Sequence, residues 1–285
     1  MDKAGIQNAL VAVGLSRLVQ DIDRITQVSI RLSTTPVDES ALKTGVSKLG
    51  GQPDLPADVR WPQWKGLPQS FIAQIRLDEV RQYDISNLLP NSGMLWFFYD
   101  ARQETYGDNP ADKGGWHVFF RDDDPSRLKL QRTPFPATLP ESGRFKACSV
   151  NFSNEVTISQ QPQLEISGLA WTDADQEVYD KALETLITPA DRAAPHHRLL
   201  GIPDTIQDDM RQQCQLVSNG VTDTNDPRAN ELSKGALDWQ LLLQVDSDEP
   251  AGMHWASAGM IYYWIKRADL QAHRFDHTWL VLQSD

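Results

Sequence analysis

Cysteine is scarce in this chain: Cys148 and Cys214 are the only two in 285 residues. That leaves no room for a disulfide framework and points to a reducing compartment. Long apolar runs are missing too. The longest, residues 95–99 and 260–265, have the length of strands, far below the ~20 residues a helix needs to cross a bilayer. Residues 1–14 place Asp2 beside Lys3 and offer no apolar stretch before a small-residue cleavage site. No secretory leader is expected, and the expected location is cytoplasmic.

Positive charge is also in deficit. Lys and Arg number 27 against 39 Asp and Glu, a net charge of −12. This argues against a nucleic-acid binder held by phosphate contacts, and against an anionic membrane surface as partner. The excess is uneven: residues 46–125 carry 8 basic against 12 acidic groups, and residues 196–285 carry 7 against 13. Such acidity fits solvated loops or a face that captures a basic partner. Catalytic signatures are absent as well. No Gly-x-Ser-x-Gly, phosphate loop or dinucleotide fingerprint occurs, and Gly50-Gly51 reads as a turn. Neither cysteine sits in a nucleophile motif. No cofactor and no catalytic residue are expected, and an enzyme is the less favoured class.

What is present is core: 40% of the chain is hydrophobic. Ile6, Leu10, Val13, Leu18, Ile22 and Ile25 recur at helical steps and predict an N-terminal helix. Residues 27–33 alternate around Val28, Ile30 and Leu32 as a half-buried strand does. Residues 145–158 read as another strand. A helix is predicted over 173–187, capped by Asp173 or Asp175 and stopped by Pro189, and a second over 207–217. Residues 218–234 are polar and read as a flexible loop.

Four blocks occur twice in the same order. Leu49-Gly50-Gly51-Gln52-Pro53-Asp54 matches Leu199-Leu200-Gly201-Ile202-Pro203-Asp204. The glutamine-bearing strand of residues 70–78 matches 240–248. Gly93 and the aromatic strand after it match Gly259 and its strand. Residues 116–122 match 279–285. The separations are 150, 170, 166 and 163 residues. These strands lack two-residue alternation, so both of their faces should be covered. The predicted class is α+β: mainly antiparallel sheets from a duplicated three-strand β unit, with flanking helices including the N-terminal one. One compact domain is expected over 1–285. It divides into a helix and strand (1–44), a first repeat (45–125), a connecting segment (126–196) and a second repeat (197–285).

The same blocks carry a resemblance. Residues 49–56, Trp61-Pro62 and Phe71-Ile72-Ala73-Gln74-Ile75, then His197-Arg198-Leu199-Leu200-Gly201 and residues 241–248, resemble the YwqG-like family of bacterial proteins. Arg274-Phe275-Asp276 is similar to that family's C-terminal part. The resemblance spans residues 25–285 and implies an α+β protein of unknown function without an established active site. The setting of some members near bacterial toxin systems implies an immunity-like role.

Among individual residues, Gln74 and Gln244 hold equivalent positions in two apolar strands. A buried amide must satisfy its donors and acceptor. The pair either braces each strand to its Pro-Asp turn or lines a pocket shared by the repeats, together with Asp54, Asp204 and His254. Asp246, Asp248 and Glu249 cluster after a strand without the glycine and distal Glu of a calcium loop, so no metal is expected. His273 and His277 have zinc spacing only if helical, and Trp279-Leu280-Val281 argues for a strand there. Two functions remain. The first is a non-enzymatic acidic interaction protein, toxin-immunity-like, that binds a basic protein through Asp223, Asp226, Asp246, Asp248 and Glu249. The second is a small-ligand-binding protein or enzyme with a polar cleft between the repeats. A monomer is favoured, with no nucleic acid or membrane partner.

Overall fold

Six successive apolar residues, Met94-Leu95-Trp96-Phe97-Phe98-Tyr99, form a strand covered on both faces, and all six are buried. The computed structural model describes residues 2–124 and 127–285. The expected boundary at 125/126 lies outside the described residues. Ten strands form one antiparallel sheet: β1 (Thr26–Pro36), β2 (Lys48–Leu49), β3 (Ser70–Arg76), β4 (Met94–Tyr99), β5 (Trp116–Arg121), β6 (Cys148–Ile158), β7 (His197–Leu199), β8 (Trp239–Asp246), β9 (Met260–Lys266) and β10 (Trp279–Gln283). Their order is β10-β9-β8-β7-β1-β6-β2-β3-β4-β5. The protein is a mix of helix and strand around this sheet, as the α+β expectation required.

The order has a consequence for assembly. The long central strands β1 and β6 pair along eleven residues, from Thr26↔Ile158 to Pro36↔Cys148. Outward from them, β2-β3-β4-β5 form one flank and β7-β8-β9-β10 the other. Yet β1, which precedes the first flank in sequence, bonds β7 of the second flank. In turn β6, which precedes the second flank, bonds β2 of the first.

Register runs in parallel through the flanks. Lys48, Gln74, Trp96 and Phe119 stand side by side in one. Arg198, Gln244, Tyr262 and Val281 do so in the other. Each second strand carries a bulge, at Ile72 and at Leu242. The sequence match of Trp116 with Trp279 is therefore one residue out of register, since Phe119 stands level with Val281. A slip of one moves a side chain to the other face.

The two edges of the sheet nearly meet, so the sheet almost closes into a barrel. The chain between β4 and β5 bridges the seam. Leu282 N donates to Tyr106 O (3.1 Å), and Trp279 Nε1 to Gly107 O (2.9 Å). Trp116 Nε1 donates to Thr278 O (3.0 Å), and the Trp116 and Trp279 rings meet edge-on at 4.9 Å. Gly107 has φ +78, and a Cβ there would lie 1.9 Å from Leu280 O, so only glycine fits. One apolar cluster joins both flanks in the interior, and Phe97 meets Tyr263 at 5.1 Å.

Several local expectations are corrected. The N-terminal apolar series is not one helix. Helix α1 (Lys3–Ala12) ends before Gly14, whose φ is +83, and a 3₁₀ segment (Ser16–Asp21) and a short helix (Ile22–Ile25) follow. Ile6, Leu10, Leu18, Ile22 and Ile25 are nevertheless all buried, in a cluster with Tyr179. Helix α2 (Asp173–Leu186) is capped by Thr172, because Thr172 Oγ1 accepts from Asp175 N while the Asp175 carboxylate accepts from Thr172 N. A short helix, α3 (Pro189–Ala193), follows it. Helix α4 (Arg211–Val217) starts late, because Asp209 accepts from the Arg211 N–H and turns the chain there. The polar stretch 218–234 is not all loop, since Ala229–Ser233 is helical.

Candidate functional site

The strongest sequence candidates form two matched braces. Gln74 Oε1 accepts from Asp54 N (2.8 Å), and Gln74 Nε2 donates to Val46 O (2.7 Å) and Asp54 Oδ2 (2.8 Å). Gln244 Oε1 accepts from Asp204 N (2.9 Å), and Gln244 Nε2 donates to His196 O (2.7 Å) and Asp204 Oδ2 (3.1 Å). Both amides are fully buried and spent within their own flank. Four strands separate them across the sheet, so the structure does not bring Gln74 and Gln244 together. They tie the Pro-Asp turn to the strand.

Buried charges complete each brace. In the first flank, Lys48 Nζ lies 2.8 Å from Glu39 Oε1 and 3.6 Å from Asp54 Oδ2, and Arg132 Nε lies 3.0 Å from Asp54 Oδ1. Burial alone would raise the Asp54 carboxyl; the Gly45 N–H, Arg132, Lys48 and Gln74 outweigh it and hold the group below its ordinary value. In the second flank, Arg198 takes Asp204 in a two-point grip (3.0 and 2.6 Å), and its Nε meets Glu155 Oε1 at 3.0 Å. Burial again opposes ionisation, and Arg198 and His196 hold Asp204 well below the carboxylate range. Arg198 could have been found in the sequence, because it repeats the cation of Lys48 at the same spacing before Pro-Asp. Arg132, far from Asp54 in sequence, gave no signal.

The acidic residues proposed as a docking face are scattered in role. Asp248 is only 2% exposed: it accepts from Thr34 Oγ1 (2.8 Å), bonds His197 Nε2 (3.1 Å) and accepts from Ala251 N (3.1 Å). Its place is inside, a correction to the surface role. Asp246 accepts from His196 N, and Asp226 is paired with Arg228. Asp223 accepts from Asn225 N in its own turn, and Glu249 is exposed. His254 is exposed in the turn before β9, away from Gln74 and Gln244, which are buried. The cysteines are poor nucleophiles: burial pushes the Cys148 thiol up to about 11 and Cys214 well above its ordinary value. His277 Nδ1 bonds Asp269 Oδ1 at 3.1 Å, and among the described residues no group of three metal-ligating side chains could hold an ion.

A cleft of about 640 Å³ opens at one end of the near-barrel. There β1 begins, β6 and β9 end, β8 begins, and Ser86 and Leu88 arrive from the first flank. Three side-chain amides in its wall, Gln27, Gln161 and Gln240, make no hydrogen bond among the described residues. Its most buried charges are bonded to one another: Arg211 grips Glu165 at two points (2.7 and 3.2 Å) and meets Asp209 at 2.7 Å, which leaves the trio one negative charge in excess. Leu164 and Leu237, 42% and 58% exposed, stand in its wall. None of these residues stood out in the sequence, because an unbonded surface glutamine carries no pattern.

Together these features define an α+β protein on one large, nearly closed antiparallel sheet with a cleft of mixed polar and apolar lining at one end. Among the described residues no helix is long and apolar enough to cross a membrane. The chain belongs to a family described as a domain of unknown function (DUF1963), which matches residues 47–284. No curated protein matches it.

Proposed function

We propose that this protein binds a small, neutral, hydrogen-bonding ligand in the cleft at the barrel mouth, where two halves of an internal duplication meet. The observation that carries the reading is that three amides without a side-chain hydrogen bond among the described residues, Gln27, Gln161 and Gln240, line one cleft. Amides both donate and accept, so they suit a polar uncharged molecule. The wall carries charge of both signs, with Lys3, Arg211 and Arg267 against Glu165 and Asp209, so neither sign dominates. The matched braces and parallel registers support the duplication, and the repeated blocks support kinship with the YwqG-like family. Two buried, unpaired thiols support a cytoplasmic setting. This reading ranks above capture of a basic partner, because Asp248 is buried and Asp246 and Asp226 are already bonded.

The test is a thermal-shift series with neutral sugars, polyols, nucleosides and small amides. A ligand at a hundred times its Kd stabilises by about 2.7 kcal/mol, which raises Tm visibly. The stabilisation should vanish in a Gln161→Ala/Gln240→Ala double variant. No shift from any of these classes, or a shift that survives in the double variant, overturns the reading.

A further inference from the structure

The two braces differ in the cation that seals them. In the first flank it is Arg132. Its Nε bonds Asp54 Oδ1 (3.0 Å), and its terminal nitrogens donate to Glu39 O (2.5 Å) and Leu42 O (3.0 Å). A guanidinium thus ties the turn carboxylate to backbone carbonyls of the segment leading into β2. In the second flank an imidazole makes the same link. His196 Nδ1 lies 2.8 Å from Asp204 Oδ2, and His196 Nε2 lies 2.9 Å from Asp191 O, in the segment leading into β7. Both partners only accept, so both ring nitrogens must carry protons. The bond set requires an imidazolium. Arginine stays charged at any pH the protein meets, and histidine does not.

We propose that His196 is a proton-operated latch: protonated, it holds the segment from Thr188 to Pro195 against the sheet, and neutral, it releases that segment. Helix α3 buries none of its own residues. Its neighbourhood is fastened to the sheet by His196 at Asp191 O and by Arg31 at Pro195 O (2.6 Å). Losing the ring proton leaves a lone pair facing an oxygen at 2.8 or 2.9 Å, so one of the two bonds becomes a repulsion. Beneath the segment lies a small cleft of about 140 Å³, walled by Leu183, Leu186 and Ile187 on one side and by Arg31, Glu155 and Arg198 on the other. Release would open this cleft and the buried Arg198 guanidinium to solvent.

The charges around the ring fix the direction. Asp204 faces Nδ1, and Arg198 on β7 grips Asp204. Arg31 on β1 and Glu155 on β6 pair with each other (3.4 Å). Asp246 on β8 accepts from the His196 N–H. The Asp191 carboxylate is held low chiefly by the Thr188 hydroxyl, and α2 lines the cleft with apolar side chains only. The hydrogen bond to Asp204 raises the His196 pKa above 6.5 against the effect of burial. A raised pKa means the latch contributes fully below 6.5 and is lost as pH rises through the folded-state value.

Hydrogen exchange of the full chain at about pH 6 and about pH 9, corrected for intrinsic rates, tests the latch. Amides of residues 188–195 should lose protection at the higher pH, by up to about tenfold for every pH unit between the folded and unfolded pKa values. His196→Arg should keep the segment protected at both, as Arg132 keeps its counterpart. His196→Gln should leave it open at both. Equal protection in the wild type at the two values, or an undiminished loss in His196→Arg, overturns the latch. Should His196→Arg fail to fold, the imidazole nitrogen shifts of the wild type decide: a neutral ring at pH 6 overturns the proposal, and a doubly protonated one titrating above 6.5 upholds it.

Discussion

A glutamine in the middle of a buried strand exchanges water for three fixed partners. At Gln74 those partners are Asp54 N, Val46 O and the Asp54 carboxylate, and the amide is wholly inaccessible. Replacing it with leucine keeps the volume and strands a buried donor and a buried acceptor. Gln74→Leu should destabilise by about 2–4 kcal/mol, each orphaned group costing ~1–3. Gln244→Leu should cost less, because the Asp204 side chain is 36% exposed and keeps both Arg198 bonds. Urea unfolding of the two variants checks the order, and a larger loss for Gln244→Leu would refute it. This pair was legible in the sequence because two amides recur at one position of a repeated block. The cations that complete the braces were only half legible. Lys48 and Arg198 share that spacing, while Arg132 comes from a segment that aligns with nothing and His196 aligns with Val46, which has no charge, so only the fold shows that they do one job.

Elements show a similar division. Strands β3, β4, β8, β9 and β10 were readable because unbroken apolar runs of strand length have few other places to go. The N-terminal series was readable as burial but not as a single helix. Its spacing drifts between three and five residues, and Gly14 at φ +83 breaks the axis. Closure of the sheet was not readable at all, since it depends on a loop. The stretch between β4 and β5 reaches the far edge strand and bonds it at Tyr106 and Gly107. Gly107→Ala forces a Cβ to within 1.9 Å of Leu280 O at a left-handed φ. The seam should part there, at a cost of about 2–5 kcal/mol from overlap and strain together. The measurement is amide exchange at Leu282, whose N–H bonds Tyr106 O across the seam. It should accelerate in Gly107→Ala more than amides of β1, and uniform acceleration would show that the seam is not a local unit.

At the scale of the whole molecule, the crossing of the leading strands governs how the chain can assemble. Had β1 bonded β2, and β6 bonded β7, each half would hold a sheet of its own and a short linker would suffice. Instead β1 finds its partners only in β6 and β7, both C-terminal to the first flank, and β2 finds one of its two only in β6. A chain cut in the exposed stretch at residues 137–138 therefore leaves β1 without any strand partner, and leaves β6 facing water along eleven residues. The interior agrees, because one apolar cluster takes residues from both flanks, and a half alone would expose Phe97 or Tyr263. Fragments 1–138 and 139–285 should each lack a stable sheet by circular dichroism and show no dispersed amide spectrum. Mixed in equal amounts, they should recover the native spectrum, because every lost partner lies in the other fragment. Two fragments that fold separately and gain nothing on mixing would mean that the central pair is dispensable, and that the two flanks are independent domains laid side by side.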